Sequence, residues 1–287
     1  MIKIGVILPT STPDPAQPIL GDVRASARLA EEFGLDSVWS TDHLVASAPM
    51  LDSTVVLATA AAVTDRITIG FGVMLLALRP VAWAAKQIST LQHVSGNRIV
   101  LGVGTGNPAH GDIGWRAAGV PYRDRGRRTD EALRVLPALI TGQAAVLGDG
   151  LEVTLAPGSA MPPVLVAGNG DRALRRAAAY GDGWVCIGLP PADVAAGLAV
   201  LGGLAAAQGR PVPRASVVGP ALDTNPRKAA AQLSAYAAAG TERVILAPTG
   251  AGWEHDYEFA GQLRAALSPG AATAVRPAPA PWPDARP

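Results

Sequence analysis

An eight-stranded parallel (β/α)8 barrel (TIM barrel) is the fold class this sequence predicts, and three observations point to it. Short runs rich in β-branched residues alternate with longer Ala- and Leu-rich stretches, in one fixed order along most of the chain. Eight such units of roughly 30 residues each fit a barrel of about 250 residues. Polar or glycine-rich turns follow these strands, on the side where a parallel barrel carries its ligand-binding residues. A doubly wound sheet is the alternative. It uses fewer strands and a glycine-rich turn directly after the first, where this chain has Pro9-Thr10-Ser11-Thr12.

The first strand is Lys3 to Leu8, ended by Pro9, and Thr10 to Pro18 is a polar, proline-rich loop. Apolar residues at helical spacing (Ala27, Leu29, Ala30, Phe33) predict a helix from Ile19 to Phe33, stopped by Gly34. A second strand, Ser37 to Ser40, precedes a helix over Thr54 to Val63 that Asp52 or Ser53 could cap. Arg66 to Met74 is the third strand. Pro80, whose missing N–H costs little at a helix start, opens the helix Val81 to Val94. The fourth strand is Arg98 to Val103, followed by a helix over Arg127 to Thr141 with Asp130 and Glu131 near its positive end. Gln143 to Leu155, centred on Gly-Asp-Gly, reads as a hairpin outside the repeat. Strands five to eight are Pro163–Ala167, Trp184–Ile187, Ala215–Val218 and Arg243–Leu246. Their helices are Asp171–Tyr180, Ala192–Gln208, Arg227–Ala239 and a segment around Tyr257–Leu267. The barrel therefore spans residues 1–268, and residues 269–287, dominated by Pro and Ala, are expected to be a disordered tail.

Hydrophobic residues make up 49% of the 287, enough for a sizeable core. Twenty-four basic against 23 acidic residues leave a formal charge of +1, so neither nucleic acid nor a membrane surface is the expected partner. The single cysteine, Cys186 in the apolar run WVCIG, excludes an internal disulfide and a cysteine-rich zinc site. MIKIGVILPT is too short an apolar run for a signal peptide, and a cytoplasmic protein is expected. Abundant Ala, Gly, Pro and Arg with few Lys hint at a bacterial genome of high GC content.

The strand ends carry the candidate chemistry. Asp42 and His43 follow the second strand, and an imidazole is the side chain most ready to exchange a proton near neutral pH. Asp42 could orient His43 or bind a ligand. The third strand ends in Gly70-Phe71-Gly72-Val73-Met74, and the fourth runs into Thr105, Gly106 and Asn107, with His110 beyond. Gly168, Asn169 and Gly170 lie between the fifth strand and a helix N-terminus, where free backbone N–H groups favour a phosphate. GVGTG at 102–106 lacks both the dinucleotide spacing and the lysine of a phosphate loop. His43, His93, His110 and His255 are scattered, without metal-ligand spacing, and His93 in LQHVSG reads as structural. One central histidine, glycine-lined strand ends and a phosphate turn suit an enzyme whose cofactor does the redox chemistry.

Taken together, IGVILP, LAEEFGLDSVWSTDHL, RITIGFGVM, GVGTGN and VLVAGNGD, in this order, resemble the luciferase-like superfamily of flavin and deazaflavin (F420) oxidoreductases. The likeness runs from about Ile4 to Leu267. It implies a cofactor ring lying across the strand C-termini, and the Asp-His pair resembles the F420-dependent members. By that resemblance His43 would exchange the proton during hydride transfer, Asp42 would contact the deazaflavin, and Gly72-Val73 matches a cis peptide bulge supporting the ring. Thr105 and Gly106 would line the cofactor site, and Gly168, Asn169 and Gly170 would hold its phosphate. Two departures bear on the reaction. Asn107 stands where the sugar-phosphate dehydrogenases of the group carry an acidic Glu, and Ser47 stands where they carry a Trp. An amide orients by hydrogen bonds and supplies no proton, which disfavours sugar-phosphate oxidation. The resemblance thus implies an F420-dependent oxidoreductase acting on a small organic substrate, with a homodimer as the family-level expectation. The alternatives are an FMN-dependent monooxygenase fed by a separate reductase, and a non-catalytic barrel that binds flavin or deazaflavin. Trp115, His110 and Arg79 are further candidates for the pocket wall.

Overall fold

The computed structural model describes residues 1–11 and 21–267. The predicted tail, most of the Thr10–Pro18 loop, and Ile19 and Leu20 lie outside the described residues. Eight strands close a parallel barrel: β1 (Lys3–Ile7), β2 (Ser37–Ser40), β3 (Thr68–Met74), β4 (Ile99–Val103), β7 (Val164–Ala167), β8 (Gly183–Ile187), β9 (Arg214–Val218) and β10 (Thr241–Leu246), with β10 pairing back onto β1. The numbering gap is the predicted hairpin, here β5 (Ala145–Val146) against β6 (Glu152–Val153), antiparallel and outside the barrel. The outer helices are α1 (Val23–Glu32), α2 (Ser53–Val63), α3 (Val81–Ser95), α4 (Ile113–Ala117), α5 (Arg125–Thr141), α6 (Asp171–Tyr180), α7 (Pro191–Ala206), α8 (Pro226–Ala238) and α9 (Trp253–Leu267).

Local chemistry sets the boundaries. Asp22 caps α1 by accepting from the N–H groups of Arg24 and Ala25, so within the described residues the helix starts later than the apolar spacing predicts. Asp52, rather than Ser53, caps α2 through the N–H of Val55. β3 begins at Thr68, two residues after the predicted Arg66. The Glu31 carboxylate takes the N–H groups of Asp65, Arg66 and Ile67, which are therefore lost to the sheet ladder. α3 runs one residue past the predicted Val94 and ends in Gly96, left-handed at φ 67°. The five-residue α4 has no counterpart among the predicted elements.

Side chains alternate along each strand, so every second residue faces into the barrel. Trp39, Val100, Leu165, Val185 and Ile245 fill that interior, with Ile7, Ala167 and Val218 against them. Trp39 occupies its layer because Gly70 leaves the space: a Cβ there would stand 2.2 Å from the indole ring. The outward faces pack against the helices in one larger core that includes Trp184, Cys186 and Tyr257.

Candidate functional site

β2 delivers Thr41, Asp42 and His43 to the C-terminal mouth of the barrel. The Asp42 carboxylate is buried, its side chain 2% exposed, and it accepts four hydrogen bonds from three residues. Arg79 Nη2 donates to both oxygens at 2.9 and 3.0 Å, the Leu75 N–H donates at 2.8 Å, and the Ser53 hydroxyl at 3.0 Å. These bonds tie the β2 loop to the segment after β3 and to the first turn of α2. Asp42 forms no hydrogen bond with His43, so it does not orient that ring.

His43 is buried, and among the described residues neither ring nitrogen has a hydrogen-bond partner. Its ring stands edge-on to His110, with centroids 4.9 Å apart. Gly114 lets α4 close over it, since a Cβ there would lie 3.2 Å from the imidazole. Burial lowers the His43 pKa from its ordinary value; the neighbouring His110 adds to the effect and Asp42 opposes it. The ring is thus neutral near pH 7 and free to take up one proton. His110 is held from its other side: Ser47 places both its N–H (3.4 Å) and its hydroxyl (3.0 Å) on Nδ1. Both contacts fall on the same ring nitrogen and anchor the His110 ring to the β2 loop. Ser47 and the histidine pairing were not assigned from sequence, because 63 residues separate Ser47 from His110 and 67 separate the two rings.

The Gly72–Val73 peptide is cis, at the position the family resemblance marks for such a bond. Val73 lies against Gly104, where a Cβ would come within 2.4 Å of its side chain. Gly106 (φ 89°) runs beside the Trp115 ring. Asn107 is exposed, and its Oδ1 accepts from the Ala109 N–H, capping the short turn that carries His110. The loop after β4 therefore serves two places: Asn107 and His110 lead to His43, whereas Thr105 faces a second feature.

That feature is a cleft of about 920 Å³ between the starts of α5 and α6, lined by Thr105, Ala167, Gly168 and Gly170. Seven arginines line it against three carboxylates, an excess of four cations. Arg176 is spent on Asp130 at 2.5 Å and Arg127 on Glu131 at 2.6 Å, but Arg123, Arg134, Arg172 and Arg175 form no ion pair with any described residue. Gly170 caps α6 without a side-chain acceptor, leaving first-turn N–H groups open to an anion. Asn169 is committed elsewhere: its amide donates to Ile187 O and accepts from Ile187 N, both at 2.9 Å, pinning the turn to β8. One N–H of the Asn169 amide remains, with the backbone, for an anion at this turn. The arginines were missed as a group because α5 and α6 bring them together from two segments of a chain that is neutral overall. Among the described residues no group of three His, Cys, Asp or Glu side chains is placed to hold a metal, and no helix is long and apolar enough to cross a membrane.

The chain is thus a closed parallel barrel whose C-terminal mouth, the face where such barrels carry their functional loops, holds the His43 imidazole and a cationic cleft. The family model for luciferase-like monooxygenases matches residues 2–285, and the chain belongs to that family. An F420-dependent glucose-6-phosphate dehydrogenase of Intrasporangium calvum is 34% identical over 172 residues, covering 55% of this chain and 51% of that one. This chain thus matches about half the length of that relative. A 5,10-methylenetetrahydromethanopterin reductase of Methanolobus tindarius is 28% identical over 244 residues, 81% of this chain and 72% of its own. The structure of an F420-dependent secondary alcohol dehydrogenase in complex with an F420-acetone adduct superposes with a TM-score of 0.76 at 17% identity, over 93% of this chain and 99% of that one, a likeness of fold.

Proposed function

We propose that the protein is an oxidoreductase that binds F420 and moves a hydride between it and a small organic substrate. The arginine-rich cleft carries this reading. FMN brings one phosphate, whereas F420 brings a phosphodiester and a chain of glutamates, and an excess of four cations matches the more anionic tail. The residues at the mouth fit the rest of such a group: small side chains at Gly104 and Gly106, a backbone bulge at Gly72–Val73, and an imidazole with both nitrogens unclaimed. When bound, the deazaflavin supplies two-electron hydride chemistry.

The chain's own side chains supply orientation and the proton. His43, neutral at rest, takes the proton released when a substrate hydroxyl is oxidised; in the reverse direction the protonated ring returns it as a carbonyl is reduced. Ser47 holds the His110 ring against His43. Asp42 keeps the two loops that frame the site in register through Arg79 and Leu75. The exposed amide of Asn107 orients substrate without exchanging a proton. Titration with oxidised F420 and with FMN, following fluorescence, tests the assignment. F420 should bind at least about tenfold tighter, and Arg172→Ala should weaken F420 more than FMN. A preference for FMN would overturn the reading in favour of a flavin monooxygenase supplied by a separate reductase. His43→Ala should keep cofactor affinity and lose turnover. Turnover indifferent to His43→Ala would remove His43 from the chemistry.

A further inference from the structure

The opposite, N-terminal mouth of the barrel holds a buried cation, Arg243, that no described residue pairs with directly. Alternation along β10 sends Arg243 inward with Ile245, and Arg243 is 7% exposed. Its Nε is buried without a partner, and among the described residues the guanidinium makes no hydrogen bond or ion pair. Its nearest specific contact is the Trp39 ring, 5.5 Å from Cζ, which roofs it towards the barrel interior. Two carboxylates act on it from a distance, but each is engaged elsewhere. Glu242 pairs with Lys3 at 2.6 Å and Arg214 at 3.4 Å, while Asp36 accepts from the Ile4 N–H and pairs with Arg264. Burial accordingly lowers the Arg243 pKa.

Arg243 faces a cavity of about 500 Å³ that Lys3, Arg98 and Arg214 also line. Four cations there meet two carboxylates, Asp182 and Glu242, an excess of two positive charges. Arg98 is consumed structurally, bonding Ser95 O, Ile67 O, Ala61 O and Thr64, and Asp182 is held by the Val164 N–H. Thr68 and Asn97, whose side chains bond no described residue, add neutral donors at the same rim. A buried guanidinium persists where something pairs with it, and its planar fork matches the oxygens of an oxyanion.

We propose that the N-terminal mouth of the barrel is a binding site for a dianionic oxyanion of the phosphate class, held by Arg243 with Lys3, Arg214, Thr68 and Asn97. The site is independent of the cofactor assignment, since the two mouths are separated by the Trp39 layer. Inorganic phosphate is the probe. Binding is measured on the full chain by calorimetry in the Arg172→Ala background, which weakens the cleft at the other mouth, and then with Arg243→Gln added. Arg243→Gln should weaken this binding about tenfold or more. Arg214→Ala, a change at an exposed side chain that leaves the fold intact, should weaken it about threefold. Crystals soaked in selenate should show an anomalous peak within hydrogen-bond distance of the Arg243 guanidinium. Equal phosphate affinity with and without Arg243→Gln and Arg214→Ala, or selenate found only at the cofactor mouth, would overturn the proposal.

Discussion

Replacing Asp42 by Ala tests whether the loops at the C-terminal mouth are held by one buried carboxylate. The side chain is 2% exposed and its partner Arg79 19%, so the pair is largely shielded from water. Removing one member of such a pair costs about 3–5 kcal/mol, because the other charge is left buried and alone. Leaving the Leu75 N–H without an acceptor costs about 1–3 kcal/mol more, though the two losses overlap because one carboxylate serves both. The expected total is about 4 kcal/mol, which at a urea slope of about 3 kcal/mol/M lowers the midpoint by about 1.3 M. Asp42→Asn, which keeps an acceptor but loses the charge, should cost about half as much. Arg79→Ala should cost less than Asp42→Ala, since the carboxylate keeps Leu75 and Ser53. The double-mutant cycle should return a coupling of about 2 kcal/mol. A midpoint shift for Asp42→Ala below about 0.3 M, equivalent to about 1 kcal/mol, would refute the argument that this carboxylate organises the mouth.

Three further outcomes follow from the packing. The folded His43 binds protons less readily than the unfolded chain, so stability rises with pH through the window just below the ordinary histidine value of about 6.5. Thermal unfolding from pH 5.5 to 7.5 should therefore show a gain that His43→Gln reduces; an unchanged slope would contradict a buried, neutral ring. Gly70→Ala places a methyl 2.2 Å from Trp39 and should cost about 3 kcal/mol or more by chemical denaturation, whereas Gly34→Ala meets no atom and should cost only its left-handed φ, about 1 kcal/mol. Burial pushes the Cys186 thiol up to about 11, so an aromatic disulfide reagent at pH 8 should label it only as the protein unfolds; rapid native labelling would contradict the core position.

The order and composition of the strands were sufficient to read a closed barrel, because β-branched runs followed by Ala-rich helices satisfy one topology economically. Boundaries failed where a distant side chain competed with the ladder, as Glu31 does at Arg66 and Ile67. Asp42 and His43 were legible as a polar break after an apolar strand. Their separate environments were not, since Arg79 and His110 come from segments 37 and 67 residues further on. Asn169 stands out by its place in the turn, but the two bonds that pin its side chain to Ile187 were not legible from sequence. Arg243 was readable in principle: alternation with Ile245 places it inside the barrel, but a single strand in isolation does not show which of its faces is the inner one.

That neither nitrogen of His43 has a partner among the described residues also bears on how the protein keeps its proton inventory. A histidine tied to a carboxylate carries its protonation state from one ligand state to the next. This one takes its state from whatever fills the mouth, so association with an anionic or cationic molecule should be accompanied by net uptake or release of hydrogen ions. The observed heat of binding would then vary with the ionisation enthalpy of the buffer, and the sign of that variation would report the charge of the group that settles beside His43.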